Sequence, residues 1–201
     1  MKVILNRIAL TTCLALGATA AKADENFLGL TWGQTSNNIQ KSHALNANLD
    51  DPSLDKVIDG TGTWGVRVGQ QQADGRYYLG YENFSDSHGG YKLRQQNLLA
   101  SYDKFLPLGD NGTKLFGGVS AGLVKLEQES PGFSRDSDVG LAAGLQAGIV
   151  QELGSNTSIE GGYRYLRTNA STELAPHGEG KAGSLDLHSS SQFYLGANYA
   201  F

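Results

Sequence analysis

Cysteine occurs once in this 201-residue chain, at Cys13, and proline only four times. Cys13 sits in an N-terminal apolar stretch and lacks the small preceding residue of a lipoprotein signal, so past residue 23 there is neither a disulfide nor thiol chemistry. No later run approaches the roughly 20 apolar residues that a helical membrane span needs. That absence does not exclude the membrane, because transmembrane β-barrels lack such a run too. Basic residues are also scarce: without Lys2, Arg7 and Lys22, 13 Lys and Arg stand against 20 Asp and Glu, a charge of −7. Such a balance argues against nucleic acid as a partner.

What the chain has in quantity is glycine, 27 residues, with nine tyrosines. Its first 23 residues combine a basic start (Lys2, Arg7), an apolar core from Ile8 to Ala21, and Ala21-Lys22-Ala23 as a small-x-small cleavage site. This is the pattern of a secretory signal peptide, 1–23, leaving a single β-rich domain over 24–201.

Period-2 alternation then predicts eight strands, near 26–36, 61–72, 76–84, 92–104, 115–126, 139–151, 157–167 and 185–201. Leu28, Leu30 and Trp32 oppose Gly29, Thr31 and Gly33; Val119, Ala121 and Leu123 oppose Gly118, Ser120 and Gly122. A soluble sandwich alternates as well, but its exposed face is rarely so rich in glycine with so few lysines. Small residues instead suit the interior of a narrow barrel. Arg67, Glu82, Glu160 and Arg164 fall on the inward parity and predict an ion-pair network in the lumen, out of reach of lipid.

Short turns at 73–75, 106–113 and 153–156 alternate with longer segments at 37–60, 85–91, 127–138 and 168–184. Outer-membrane barrels keep short turns in the periplasm and long loops outside, which orients the chain. The last strand alternates Phe193, Leu195, Ala197, Tyr199 and Phe201 up to the carboxylate. This ending resembles the terminal signal of such barrels. The fold class is therefore all-β: an eight-stranded antiparallel up-and-down transmembrane β-barrel, multi-pass in the bacterial outer membrane.

Catalytic and metal signals are weak. His188 and Ser190 share the inward parity near the outer rim, and barrel-type lipid A deacylases use a serine with a nearby histidine. A lumen-filling polar pair is the commoner origin of this pattern, so the chain reads as a non-enzyme. His43, His88 and His177 fall in separate loops without ligand spacing, and Asp50, Asp51 and Asp55 lack the glycine of a calcium loop. No metal site and no cofactor are expected.

The sharper signal is cationic. Along YKLRQQNLLASYDKF, Leu98, Ala100 and Tyr102 share the outward face with Arg94 and Lys92 at its outer end. A hairpin folded about Gly109 sets Lys125, also of outward parity, near Leu93. A lipid-facing Lys or Arg costs about 2–4 kcal/mol at the bilayer midplane but about 0–1 kcal/mol near the interface. At the rim the three cations meet phosphate, and lipid A phosphates of lipopolysaccharide accept charge-assisted hydrogen bonds from them. Snorkelling without a specific ligand is the plainer alternative.

FLGLTWGQTSNNIQKS, LDKVIDGTGTWG, KLRQQNLLASYDKFLPLGDN, TKLFGGVSAGLVKLEQ and IEGGYRYLRTNAST closely resemble the OprH family of low-magnesium-induced outer-membrane proteins of pseudomonads. The resemblance covers nearly all of the chain after residue 23. It implies an eight-stranded barrel that binds lipopolysaccharide and stabilises the outer membrane when divalent cations are scarce, with resistance to cationic peptides, aminoglycosides and chelators. It implies that Lys92, Arg94 and Lys125 match the family's lipopolysaccharide-contacting positions. Pro131 and Ser134 depart from lysines of the family pattern, and the acidic balance is a second departure. Acidic loops that retain magnesium bridges to sugar phosphates are therefore a further mode. The competing readings are a narrow channel or small-solute porin and a lipid A-modifying enzyme.

Overall fold

Apolar residues alternate with small or polar ones from Leu28 onward, and the chain folds into strands that turn every second side chain inward. The computed structural model describes residues 25–41, 61–88, 91–129, 136–174 and 183–201; at some strand ends, Lys92 included, the backbone alone is described. The strands are β1 (Glu25–Lys41), β2 (Thr61–Gln72), β3 (Gly75–His88), β4 (Tyr91–Pro107), β5 (Thr113–Glu129), β6 (Asp136–Glu152), β7 (Thr157–Thr168), β8 (Ser171–Leu174) and β9 (Gly183–Ala200). Neighbours pair antiparallel, and β9 pairs back onto β1, closing the sheet. Both β7 and the short β8 pair with β9, one beyond the other, so eight strand positions surround the barrel. Residues 1–23, read from the sequence as a signal peptide, lie outside the described residues.

Several strands run past their predicted ends. β3 and β4 continue until only residues 89 and 90 separate them, and β5 reaches Glu129, so much of two predicted loops is sheet. β8 was not predicted at all. It follows a two-residue break that side chains bridge: Asn169 Oδ1 accepts the Leu141 N–H at 2.8 Å, and Asp138 Oδ2 accepts the Ser171 N–H at 3.0 Å. These contacts satisfy backbone donors that the interrupted ladder leaves open.

The β4–β5 register differs from the expected one. Gly109 (φ 74°) and Gly112 (φ 71°) both take the left-handed conformation, and Asp110 and Asn111 form the tip between them. The centre of the hairpin thus lies beyond Gly109. Lys125 consequently opposes Gln96 rather than Leu93, and Arg94 opposes Glu127.

The interior is layered. Phe27, Tyr78 and Ala200, with Phe105, Phe116, Val150 and Tyr194, fill the end near the short turns. Charged and amide side chains occupy the middle. Phe84, Leu93, Leu99, Val124, Leu126, Ala142, Leu166, Ala170 and Leu187 pack together toward the loop end. Small and polar inward residues therefore dominate only part of the barrel, and Leu93, Leu99, Val124 and Leu126 make much of the inward face of β4 and β5 apolar toward the loop end. Outside, residues such as Trp32, Leu141, Leu145, Phe193 and Leu195 are exposed by 65–74%. An apolar belt of that extent has hydrocarbon as its solvent. Every strand except β8 exceeds the roughly 9–11 residues a tilted strand needs to cross.

Candidate functional site

Two outward series converge at the loop end of β4 and β5. On β4, Tyr102, Ala100 and Leu98 give way to Gln96 and then Arg94; on β5, Val119, Ala121 and Leu123 give way to Lys125 and then Glu127. Gln96 Nε2 donates to the Tyr81 hydroxyl at 2.9 Å, and Tyr81 packs edge-on against Trp64, ring centroids 6.1 Å apart. Trp64 in turn opposes Trp32 across β1 and β2. Such a cluster of amphipathic rings marks a membrane–water interface.

Above those rings the two cations share one carboxylate. Lys125 Nζ lies 3.1 Å from Glu127 Oε2, and Arg94 Nη1 lies 3.9 Å from Glu127 Oε1. The side chains of Arg94 and Lys125 are 42% and 40% exposed, that of Glu127 only 8%. The carboxylate thus lies beneath the two cations and offsets one charge of the two. At 3.9 Å the Arg94 contact is a loose ion pair, not a hydrogen bond. Lys92 opposes Glu129 in the backbone register, and its side chain lies outside the described residues. Glu127 is the member of this site that the sequence reading missed. Its parity continues Val119, Ala121, Leu123 and Lys125, but the predicted strand stopped at residue 126.

The lumen holds a second constellation. Arg67 Nη2 is 2.7 Å from Glu160 Oε1, and Arg164 pairs with Glu82 through Nη1 and Oε1. The four expected residues are therefore two separate pairs. Arg76 extends the first: it bonds Glu160 at 2.5 and 3.2 Å and Asp103 at 2.8 Å. Gln146 links the groups, accepting from Arg164 Nε at 2.8 Å and donating to the Tyr78 hydroxyl at 2.7 Å. Three guanidiniums thus face three carboxylates, and this buried cluster is neutral. Arg76 and Asp103 were legible by parity alone, being even on β3 with Tyr78 and Glu82 and odd on β4 with Leu99 and Ser101.

His188 and Ser190 do not share a face. The β1–β9 register shifts between Asn38 and Ile39, which pair with Ser189 and Leu187, so His188 is the extra residue of a bulge. The bulge turns His188 outward while Ser190 is buried in the lumen. His43, His177, Asp50, Asp51, Asp55, Pro131 and Ser134 lie outside the described residues, as does the side chain of His88.

A closed eight-stranded sheet with a lipid-facing belt, a neutral buried ion-pair cluster and an aromatic interface defines a bacterial outer-membrane β-barrel. Among solved structures, the solution structure of outer membrane protein H (OprH) from P. aeruginosa in DHPC micelles is 75% identical, with a TM-score of 0.57, covering 88% of this chain and 99% of that one. The chain belongs to the OprH family of outer-membrane barrels. Neisserial surface protein A (NspA) matches at 14% identity and a TM-score of 0.62, over 91% of this chain and 100% of its own. OprG from Pseudomonas aeruginosa matches at 15% identity and a TM-score of 0.61, over 90% and 98%. These two share the fold. No protein-family model matches the chain, and no curated protein matches it.

Proposed function

We propose that this barrel is a non-enzymatic lipopolysaccharide-binding protein whose rim cations Lys92, Arg94 and Lys125 hold lipid A and core phosphates and stabilise the outer membrane when divalent cations are scarce. The observation that carries the reading is the pair of part-exposed cations, Arg94 and Lys125, at the end of two lipid-facing series just above an aromatic interface. Membership of the OprH family supports it.

Neighbouring lipopolysaccharide molecules repel one another through their phosphates, and divalent cations relieve this by bridging them. Cations fixed to the barrel do the same without an exchangeable ion, so they persist where magnesium is scarce or chelated. A guanidinium adds bidentate geometry, which a lysine does not. Resistance to cationic peptides, aminoglycosides and chelators follows from the same substitution. A narrow channel is disfavoured because apolar clusters pack the described interior on both sides of its ion pairs.

The test is lipopolysaccharide binding by the barrel before and after Lys92→Ala, Arg94→Ala and Lys125→Ala together. A large loss of affinity at low salt is expected, and unchanged affinity would sink the reading. Repetition in chelator separates the two phosphate modes. Binding through the protein's own cations persists, whereas binding through magnesium held by acidic loops is lost.

A further inference from the structure

β7 ends much as β5 does. Its outward series, Ile159, Tyr163 and Tyr165, terminates in Arg167, just as Val119, Ala121 and Leu123 terminate in Lys125. Arg167 is exposed, and among the described residues no carboxylate is paired with it. Its neighbour Tyr165 interacts through its hydroxyl with both Arg167 and Ser189. An outward cation without a counter-charge at the edge of an apolar belt is disfavoured unless the membrane supplies an anion.

The surface beside Arg167 is shaped as well as charged. Arg167 opposes Ala143, Ala143 opposes Ala121, and Ala121 opposes Ala100, so three alanines lie side by side on the outward face of β6, β5 and β4. Tyr102, Val119, Leu145 and Tyr165 rise around them, leaving a groove of about 800 Å³ that Arg167 also lines. The row slopes. Arg167 stands ten residues from the turn end of β7 at Thr157, but Ala100 only seven from the turn end of β4 at Pro107. The groove therefore descends from the rim toward the bilayer interior, the direction an acyl chain takes from its headgroup.

We propose that Arg167 and this alanine groove form a second lipid A site, with the guanidinium on a phosphate and an acyl chain laid over Ala143, Ala121 and Ala100. The proposal rests on the reading of the outer leaflet partner as lipopolysaccharide. Lipid A is the occupant because Arg167 ends its strand's apolar series as Lys125 does, in the phosphate layer. β5 and β7 are two strands apart, roughly 10 Å, and Lys125 lies four residues beyond Ala121 of the Arg167 row, roughly 13 Å along the strand, so lipid gathered at Lys125 and at Arg167 belongs to the same or adjoining molecules. The alanines matter because any larger outward side chain would fill the seat.

The experiment is a titration of the folded barrel in detergent micelles with bis-phosphorylated lipid A, read at backbone amides. Ala121, Ala143 and Leu145 report the groove; Gln96 and Lys125 report the rim. Both sets shift in the unaltered protein. Arg167→Gln weakens the groove response by about tenfold and leaves the rim response in place. Ala143→Leu weakens the same set with the charge intact, and heat-modifiable gel migration verifies that each variant folds. A groove response unaffected by both variants overturns the second site. Equal response to phosphatidylglycerol overturns its assignment to lipid A. A groove response without a rim response overturns the proposed function and leaves the second site standing.

Discussion

Arg94 and Glu127 face each other across the β4–β5 ladder with their charged groups 3.9 Å apart, while Lys125 reaches the other oxygen of the same carboxylate at 3.1 Å. The carboxylate lets two like charges sit together before any lipid arrives. It also competes with phosphate for both of them. Glu127→Gln is therefore expected to raise lipopolysaccharide affinity by about tenfold at low salt, since a charge-assisted contact no longer has to be exchanged. Barrel stability changes by about 1 kcal/mol, because both cations are part-exposed and the glutamine amide fills the buried seat of the carboxylate. Weaker binding by this variant, measured by titration, would show that Glu127 positions the cations instead of competing for them.

Parity was legible in the sequence because apolar residues alternate with glycine, hydroxyl and charged residues strand after strand, as a wall between lipid and a narrow lumen requires. It assigns Arg67, Glu82, Glu160 and Arg164 to the lumen and Arg94 and Lys125 to the outside, where the structure has them. What escaped was set by local departures from period 2. A tip displaced from Gly109 moved the β4–β5 register by three residues, replacing the expected Lys125–Leu93 proximity with the Arg94–Glu127 pair. A bulge at His188 reversed one side chain. The division of four lumen charges into two pairs depends on strand tilt and barrel closure, which sequence spacing does not encode.

Asp74, in the turn between β2 and β3, accepts a hydrogen bond from the Lys104 ammonium. That bond, followed by the attraction of the charge itself, holds the Asp74 carboxyl below the usual aspartate range. A depressed carboxylate contributes stability above its unfolded pKa and loses it as pH falls through the folded one. The pair is fully exposed, so its effect is local. Side-chain carboxyl NMR should place the Asp74 midpoint below that of an ordinary aspartate, and Lys104→Ala should return it upward. A midpoint indifferent to Lys104→Ala would remove the lysine as the cause.

His188 and Ser190 are separated by the wall of the barrel, the imidazole exposed outside and the hydroxyl buried within. A general base that cannot reach its nucleophile does not activate it. Lipid A incubated with the folded protein should keep its acyl chains by mass spectrometry, with or without Ser190→Ala. Any acyl loss abolished by that substitution would restore the enzyme reading.

The strongest structural test lies in the lumen. Glu160 answers two guanidiniums: Arg76 with aligned hydrogen bonds, and Arg67 through a 2.7 Å charge contact whose N–H groups are not aimed at the oxygen. Arg67 also packs over the rings of Tyr78 and Tyr194, centroids 5.4 and 5.7 Å away. Glu160→Gln leaves three buried guanidiniums with two carboxylates, and an uncompensated buried charge costs about 3–5 kcal/mol. Glu160→Gln with Arg67→Met restores two against two and retains apolar packing beside the rings. The double variant should therefore be more stable than Glu160→Gln alone, measured by urea unfolding in lipid vesicles. Additive losses would mean that the pairs act independently and that the neutrality of the cluster is not what selects these residues.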